Sequence, residues 1–117
     1  LARGVAAHLT THGLATEPTD SPRYLADGYW RGPIWAPSTV LVEDGLRRAG
    51  HTALADEISR RFLALCERSG FAENFDAETG KGLRDRAYTW TASSYLSLAA
   101  AQQERRAASA GPGPCDA

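Results

Sequence analysis

Thr52-Ala53-Leu54-Ala55-Asp56-Glu57-Ile58-Ser59-Arg60-Arg61-Phe62-Leu63-Ala64-Leu65-Cys66-Glu67-Arg68-Ser69-Gly70 reads as one amphipathic helix. Leu54, Ile58, Phe62, Leu65 and Cys66 recur at helical spacing and mark a buried stripe. Arg60, Arg61 and Arg68 lie towards solvent and the C-terminal end, where a cation complements the helix dipole. Thr52 suits the N-cap, and Asp56 and Glu57 suit the early helix. Gly70 tolerates the left-handed conformation that ends helices.

The neighbouring stretches repeat this logic. Pro37 can open a second helix, because the first helical position needs no N–H donor, and Gly50 ends it. Val40, Leu41, Gly45 and Leu46 are expected to face inward, with Glu43, Asp44, Arg47 and Arg48 largely outward. Leu1, Val5, Ala6 and Leu9 place a helix over Leu1–Thr11, with Gly13 as its stop. Trp90–Gln103 is the last helix, with Tyr95, Leu98 and Ala99 on one face and small residues that allow close approach around it. Two long connections, Leu14–Pro37 and Phe71–Tyr88, hold most of the turn residues, and structureless loops of such length are usually functional. No strand periodicity appears, so the expected class is all-α, about four helices with two functional loops. Residues 1–106 form the ordered unit, and 107–117, with Gly-Pro-Gly-Pro, reads as a disordered tail.

Composition narrows the function. The chain has 117 residues, 43% hydrophobic and 23% charged, with a net charge of −1, which suits one soluble domain and makes nucleic acid a poor candidate partner. The uncharged run between Arg86 and Glu104 is too polar for a membrane span, and the N-terminus has no signal-peptide pattern. Cys66 and Cys115 read as free thiols, which suits a reducing or indifferent compartment, and the expected setting is cytoplasmic. Met is absent and Leu1 already sits in a helix-like run, so the chain reads as a piece of a larger protein.

Two constellations could carry chemistry. In Asp27-Gly28-Tyr29-Trp30-Arg31-Gly32-Pro33-Ile34-Trp35, two tryptophans, a tyrosine and an arginine sit in a loop held by glycine and proline. An indole face can stack on the C–H face of a pyranose, and Arg31 offers a planar donor fork. The same composition equally suits an aromatic plug closing the end of a helix bundle. In Phe71-Ala72-Glu73-Asn74-Phe75-Asp76-Ala77-Glu78-Thr79-Gly80, three carboxylates lie within six residues. Asp76 and Glu78 read as turn residues. Glu73, among apolar neighbours, is the candidate for general acid or base work. Asp85, Arg86, Tyr88 and Trp90 form a weaker set. His8 and His12 have metal-ligand spacing on one helix but lack a third ligand. There is no phosphate loop, dinucleotide fingerprint, nucleophile elbow or cysteine cluster, so no metal or cofactor is expected.

Tyr29-Trp30-Arg31-Gly32-Pro33-Ile34-Trp35, then a helix ending Gly45-Leu46-Arg47-Arg48-Ala49-Gly50, resembles the carboxy-terminal part of glycoside hydrolases with an (α/α)6-barrel catalytic domain. These are family 63 glucosidases, mannosylglycerate hydrolases and, more remotely, trehalases. Glu73-Asn74-Phe75-Asp76 with Thr79-Gly80, then Tyr88-Thr89-Trp90-Thr91, is similar to the segment carrying their general base. The resemblance covers roughly Gly13 to Ala101.

The resemblance implies a fragment of an inverting glycosidase acting on an α-glycosidic bond. Glu73 matches the general base, while Tyr29, Trp30, Arg31, Trp35 and Trp90 match the sugar cleft. The family's acid is an aspartate far upstream, so this chain alone is expected to be inactive. Its implied partners are an oligosaccharide or small glycoside and the remainder of the barrel. Phe75 departs from the pattern, since relatives often have Tyr there. The alternative is a helical domain that binds carbohydrate or a partner without catalysis.

Overall fold

A computed structural model describes residues 1–111. The helices are α1 (Ala2–His8), α2 (Ala36–Arg48), α3 (Thr52–Ser69) and α4 (Thr89–Ala110), with a small hairpin of β1 (Asn74–Phe75) and β2 (Gly82–Leu83) before α4. The long helices α2, α3 and α4 pack against one another. The stripe read for α3 is its buried face: Ile58, Phe62, Leu65 and Cys66 are buried together with Ala55, Ser59 and Leu63. Gly70 ends α3 at φ 82°, a conformation that disfavours any residue with a Cβ.

The outward and inward faces of α2 differ from expectation. Leu46 is buried, but Leu41 is 74% exposed and Glu43 only 6% exposed. The reason lies across the α2–α3 contact. The Glu43 carboxylate takes Arg47 Nε at 3.0 Å, and Arg47 Nη2 continues to Asp56 of α3 at 2.8 Å. Asp56 also lies 3.5 Å from Arg105 of α4. A buried carboxylate is tolerated because it is paired and hydrogen-bonded.

Helix ends also move. α1 stops at His8, well short of Thr11. Beyond it Thr10 donates to Gly13 O at 2.7 Å and Leu9 bridges Leu14, so the chain doubles back. Gly13, at φ 150°, closes that reversal instead of ending the helix. His12 therefore lies off the helix, its Nδ1 2.6 Å from Arg68 Nη2, while His8 Nδ1 lies 2.9 Å from Ala15 O. α4 runs to Ala110, so the start of the tail expected from 107 is helical. Residues 112–117, including Cys115, lie outside the described residues.

The two long loops are stitched to each other, and here the expectation of no strands is corrected. Ala15 bridges Ile34, Ile34 bridges Phe75, and Phe75 pairs with Gly82. Each partner contributes one or two residues, too few to display alternation, and the Ala15–Ile34 and Ile34–Phe75 bridges join segments far apart in the chain. Phe75 is fully buried, edge-on to Phe62 at 6.3 Å. The position thus faces the core, which explains why an apolar ring serves there. Asp76 forms the expected turn: its Oδ1 accepts from Glu78 N at 2.8 Å and Thr79 N at 3.0 Å.

Candidate active site

The aromatic loop is shaped by close backbone packing. Leu25 O accepts from Gly28 N at 3.0 Å, and Leu25 N donates to Arg31 O at 2.8 Å. A Cβ on Gly32 would fall 2.2 Å from Leu25 O, so only glycine fits. Thr16 Oγ1 accepts from Gly32 N at 3.0 Å and donates to Pro33 O at 2.8 Å, holding the far side of the loop.

Trp35 anchors the loop to α2. Its carbonyl accepts from Thr39 N at 3.1 Å and Thr39 Oγ1 at 2.6 Å, and its ring is 1% exposed. Trp30 stacks on Trp35 with centroids 4.0 Å apart and planes 12° from parallel, yet remains 47% exposed. Tyr29 stands edge-on to Trp35 at 4.7 Å, and Trp35 Nε1 donates to Tyr29 O at 2.7 Å. The loop is thus partly plug and partly open surface: one indole is buried and supports another that is not.

Glu73 meets this cluster. It precedes β1, is half-buried, and its backbone N–H donates to Asp85 O at 2.8 Å. Tyr29 Oη donates to Glu73 Oε1 at 2.8 Å. That hydrogen bond, with some desolvation, holds the Tyr29 phenol above its ordinary range, opposed by nearby Arg84. A carboxylate with one oxygen fixed by a phenol keeps a second oxygen that can accept a proton from water.

The remaining expected residues sit less centrally. Arg31 is exposed, and Trp90, in the first turn of α4, is 52% exposed. Neither joins the Tyr29–Glu73 pair through a side-chain hydrogen bond or ring contact among the described residues. Asp85 makes a local turn, its Oδ1 accepting from Ala87 N at 3.0 Å. Among the described residues no group of three His, Cys, Asp or Glu side chains could hold a metal ion.

The sequence reading missed Arg84. Its guanidinium lies 4.9 Å above the Tyr29 ring centroid and donates to Asp27 Oδ1 at 3.0 Å. No motif marks it, and its backbone conformation, φ 63°, is invisible in sequence.

Comparison with known proteins shows the family. Residues 2–91 match the model of the mannosylglycerate hydrolase MGH1-like glycoside hydrolase domain. A mannosylglycerate hydrolase of Thermus thermophilus is 40% identical over 78 residues, covering 67% of this chain and 19% of that protein. A crystal structure of a family 63 mannosylglycerate hydrolase from Thermus thermophilus, in complex with glucose, superimposes with a TM-score of 0.74 at 32% identity, over 83% of this chain and 23% of that one. The same enzyme with Tris and D-glycerate gives 0.72 at 33% identity, over 83% and 24%. The chain spans no more than about a fifth of the length of the curated relatives it matches.

Proposed function

The chain belongs to the mannosylglycerate hydrolase MGH1-like glycoside hydrolase family, and we propose that it carries the general base and one wall of the sugar cleft of an inverting glycosidase. Glu73 is the base. Tyr29 steers its carboxylate by donating to Oε1, leaving the other oxygen to take a proton from the attacking water. Trp30 offers its exposed face to the C–H side of the sugar, with Trp35 as the platform beneath it. Arg31 and Trp90 contribute to the rim, Arg31 through donors suited to hydroxyls. The bond cleaved is the α-glycosidic bond of a small glycoside. Relatives named for mannosylglycerate make that compound the first substrate to test.

The leaving oxygen needs an acid, which in an inverting enzyme lies about 6.5–9.5 Å from the base. That carboxyl comes from elsewhere in the complete protein, so the chain alone does not turn over. Among the described residues no helix is long and apolar enough to cross a membrane. Among the described residues Cys66 is a free thiol, in line with the cytoplasmic setting we propose.

The observation that carries this reading is the Tyr29–Glu73 hydrogen bond, which joins the aromatic loop to a carboxylate 44 residues away. Glu73→Gln keeps the shape and cannot accept the proton. In an active protein containing this chain, kcat on mannosylglycerate should fall about 10²–10⁴-fold with a modest change in KM. Near-normal turnover would sink the assignment, and sugar binding without hydrolysis in the unmutated complete protein would favour the non-catalytic alternative.

A further inference from the structure

Among the described residues two that are not glycine have positive φ, Tyr29 and Arg84, both at 63°. They touch one another, the guanidinium carbon lying 4.9 Å from the Tyr29 ring centroid. The left-handed conformation is unfavourable for a residue with a Cβ, and it persists where the surroundings over-determine it. Both residues are held in this way. The Tyr29 carbonyl accepts from Trp35 Nε1 at 2.7 Å while its hydroxyl donates to Glu73 at 2.8 Å. Arg84 Nη2 donates to Asp27 Oδ1 at 3.0 Å and to Asp27 O at 3.3 Å.

Arg84 is also placed by the hairpin that positions the carboxylate. Leu83 pairs with Asn74, and Asp85 O accepts from Glu73 N at 2.8 Å, so residues on both sides of Arg84 are tied to Glu73 and its neighbour. From there the side chain reaches across to the loop that carries Tyr29. Stability does not account for it, because Arg84 and Asp27 are 39% and 64% exposed and such ion pairs contribute little.

We infer that Arg84 is a positioning residue: pinned by Asp27, its guanidinium holds the Tyr29 ring so that the phenol O–H stays on Glu73. This rests on Glu73 being the base and adds how its carboxylate is kept in place. Arg84 acts through Tyr29, by cation–π attraction to the ring face.

The test uses an active protein containing this chain, labelled with 13C-tyrosine, with mannosylglycerate as substrate. Arg84→Gln should lower kcat about tenfold while KM moves less than about twofold, and the same change made in Y29F should lower kcat less than about twofold further. It should also move the Tyr29 Cζ resonance towards its position in E73Q, and Arg84→Lys, which keeps a cation near the ring, should recover part of both effects. Should R84Q fail to fold, Asp27→Ala at an exposed position removes the side-chain half of the pin and should give the same pattern at smaller amplitude.

The inference is overturned if R84Q raises KM alone, lowers kcat equally with and without the Tyr29 hydroxyl, or leaves the Tyr29 resonance unmoved. E73Q separates this failure from that of the base assignment. Turnover preserved in E73Q removes the base, after which the resonance alone reads the Arg84–Tyr29 coupling. Turnover lost in E73Q with R84Q uncoupled removes only the role of Arg84.

Discussion

Trp30 and Trp35 stack at 4.0 Å, yet their surroundings assign them opposite tasks. Trp35 is buried at the start of α2 and bonded at both its indole nitrogen and its carbonyl. Trp35→Ala should therefore cost about 3–5 kcal/mol of stability through the cavity it leaves. Trp30→Ala, at a half-exposed site, should cost about 1 kcal/mol from the lost stacking and act mainly by raising KM or lowering kcat/KM. Urea midpoints and sugar kinetics on both variants of an active protein containing this chain check this; equal destabilisation by the two would make the whole loop a plug. The residue types in this loop were legible as an aromatic cluster. Which ring is covered was not, because exposure depends on where α2 and the Glu73 segment lie.

At the scale of the element, α2, α3 and α4 are tied by charge as well as by apolar packing. Asp56 on α3 takes Arg47 from α2 at 2.8 Å and lies 3.5 Å from Arg105 on α4. Hydrophobic spacing identified the α3 stripe, whereas the inward Glu43 broke the pattern on α2, since a pattern of apolar residues is blind to a carboxylate buried by its partner. On the outer side of α3, hydrogen bonds from Arg60 and Arg61 hold the Glu57 carboxyl down at about 2. A carboxyl depressed by folding stabilises above its unfolded value of 4.5 and loses that contribution as pH falls towards 2. In urea unfolding of an active protein containing this chain, its stability advantage over the Glu57→Gln variant should shrink as pH falls from 4.5 and vanish near the folded value. Arg60 is exposed and Glu57 and Arg61 are only half-buried, so the difference should be small and fade further in 1 M salt, where the Debye length is about 3 Å.

The whole molecule is a slab. Its radius of gyration is 15.5 Å and its thinnest extent 19 Å, against about 13 Å for the radius of a compact domain near this length. Leu1, Leu41 and Leu96 are 83%, 74% and 64% exposed, and an apolar groove between α1 and α2 is lined by Leu1, Val5, Leu14 and Val42. Ile58, Phe62 and Leu46 are covered within the chain, so burial is incomplete at the edges and sound in the centre. The 117-residue chain alone is expected to hydrolyse no mannosylglycerate and to unfold in urea over a broad range or to self-associate. Glycoside assays, urea titration and size-exclusion chromatography check this. Real turnover, or a sharp transition in a monomer, would overturn it.

Periodicity and breakers were enough to read four helices, two long loops and the Asp76 turn, because these depend on contacts within a few residues of chain. The motifs carried the family, and Glu73 stood out as the carboxylate with apolar neighbours before a turn. Tertiary structure alone decided the rest. The bridges Ala15–Ile34–Phe75, the link from Glu43 through Arg47 to Asp56 and the approach of Arg84 to Tyr29 join different segments of the chain, and which of the neighbouring Trp30 and Trp35 is covered depends on the elements packed around them. Each of these contacts exists only once the loops have been brought together by helix packing, and local spacing holds no trace of a partner many residues away.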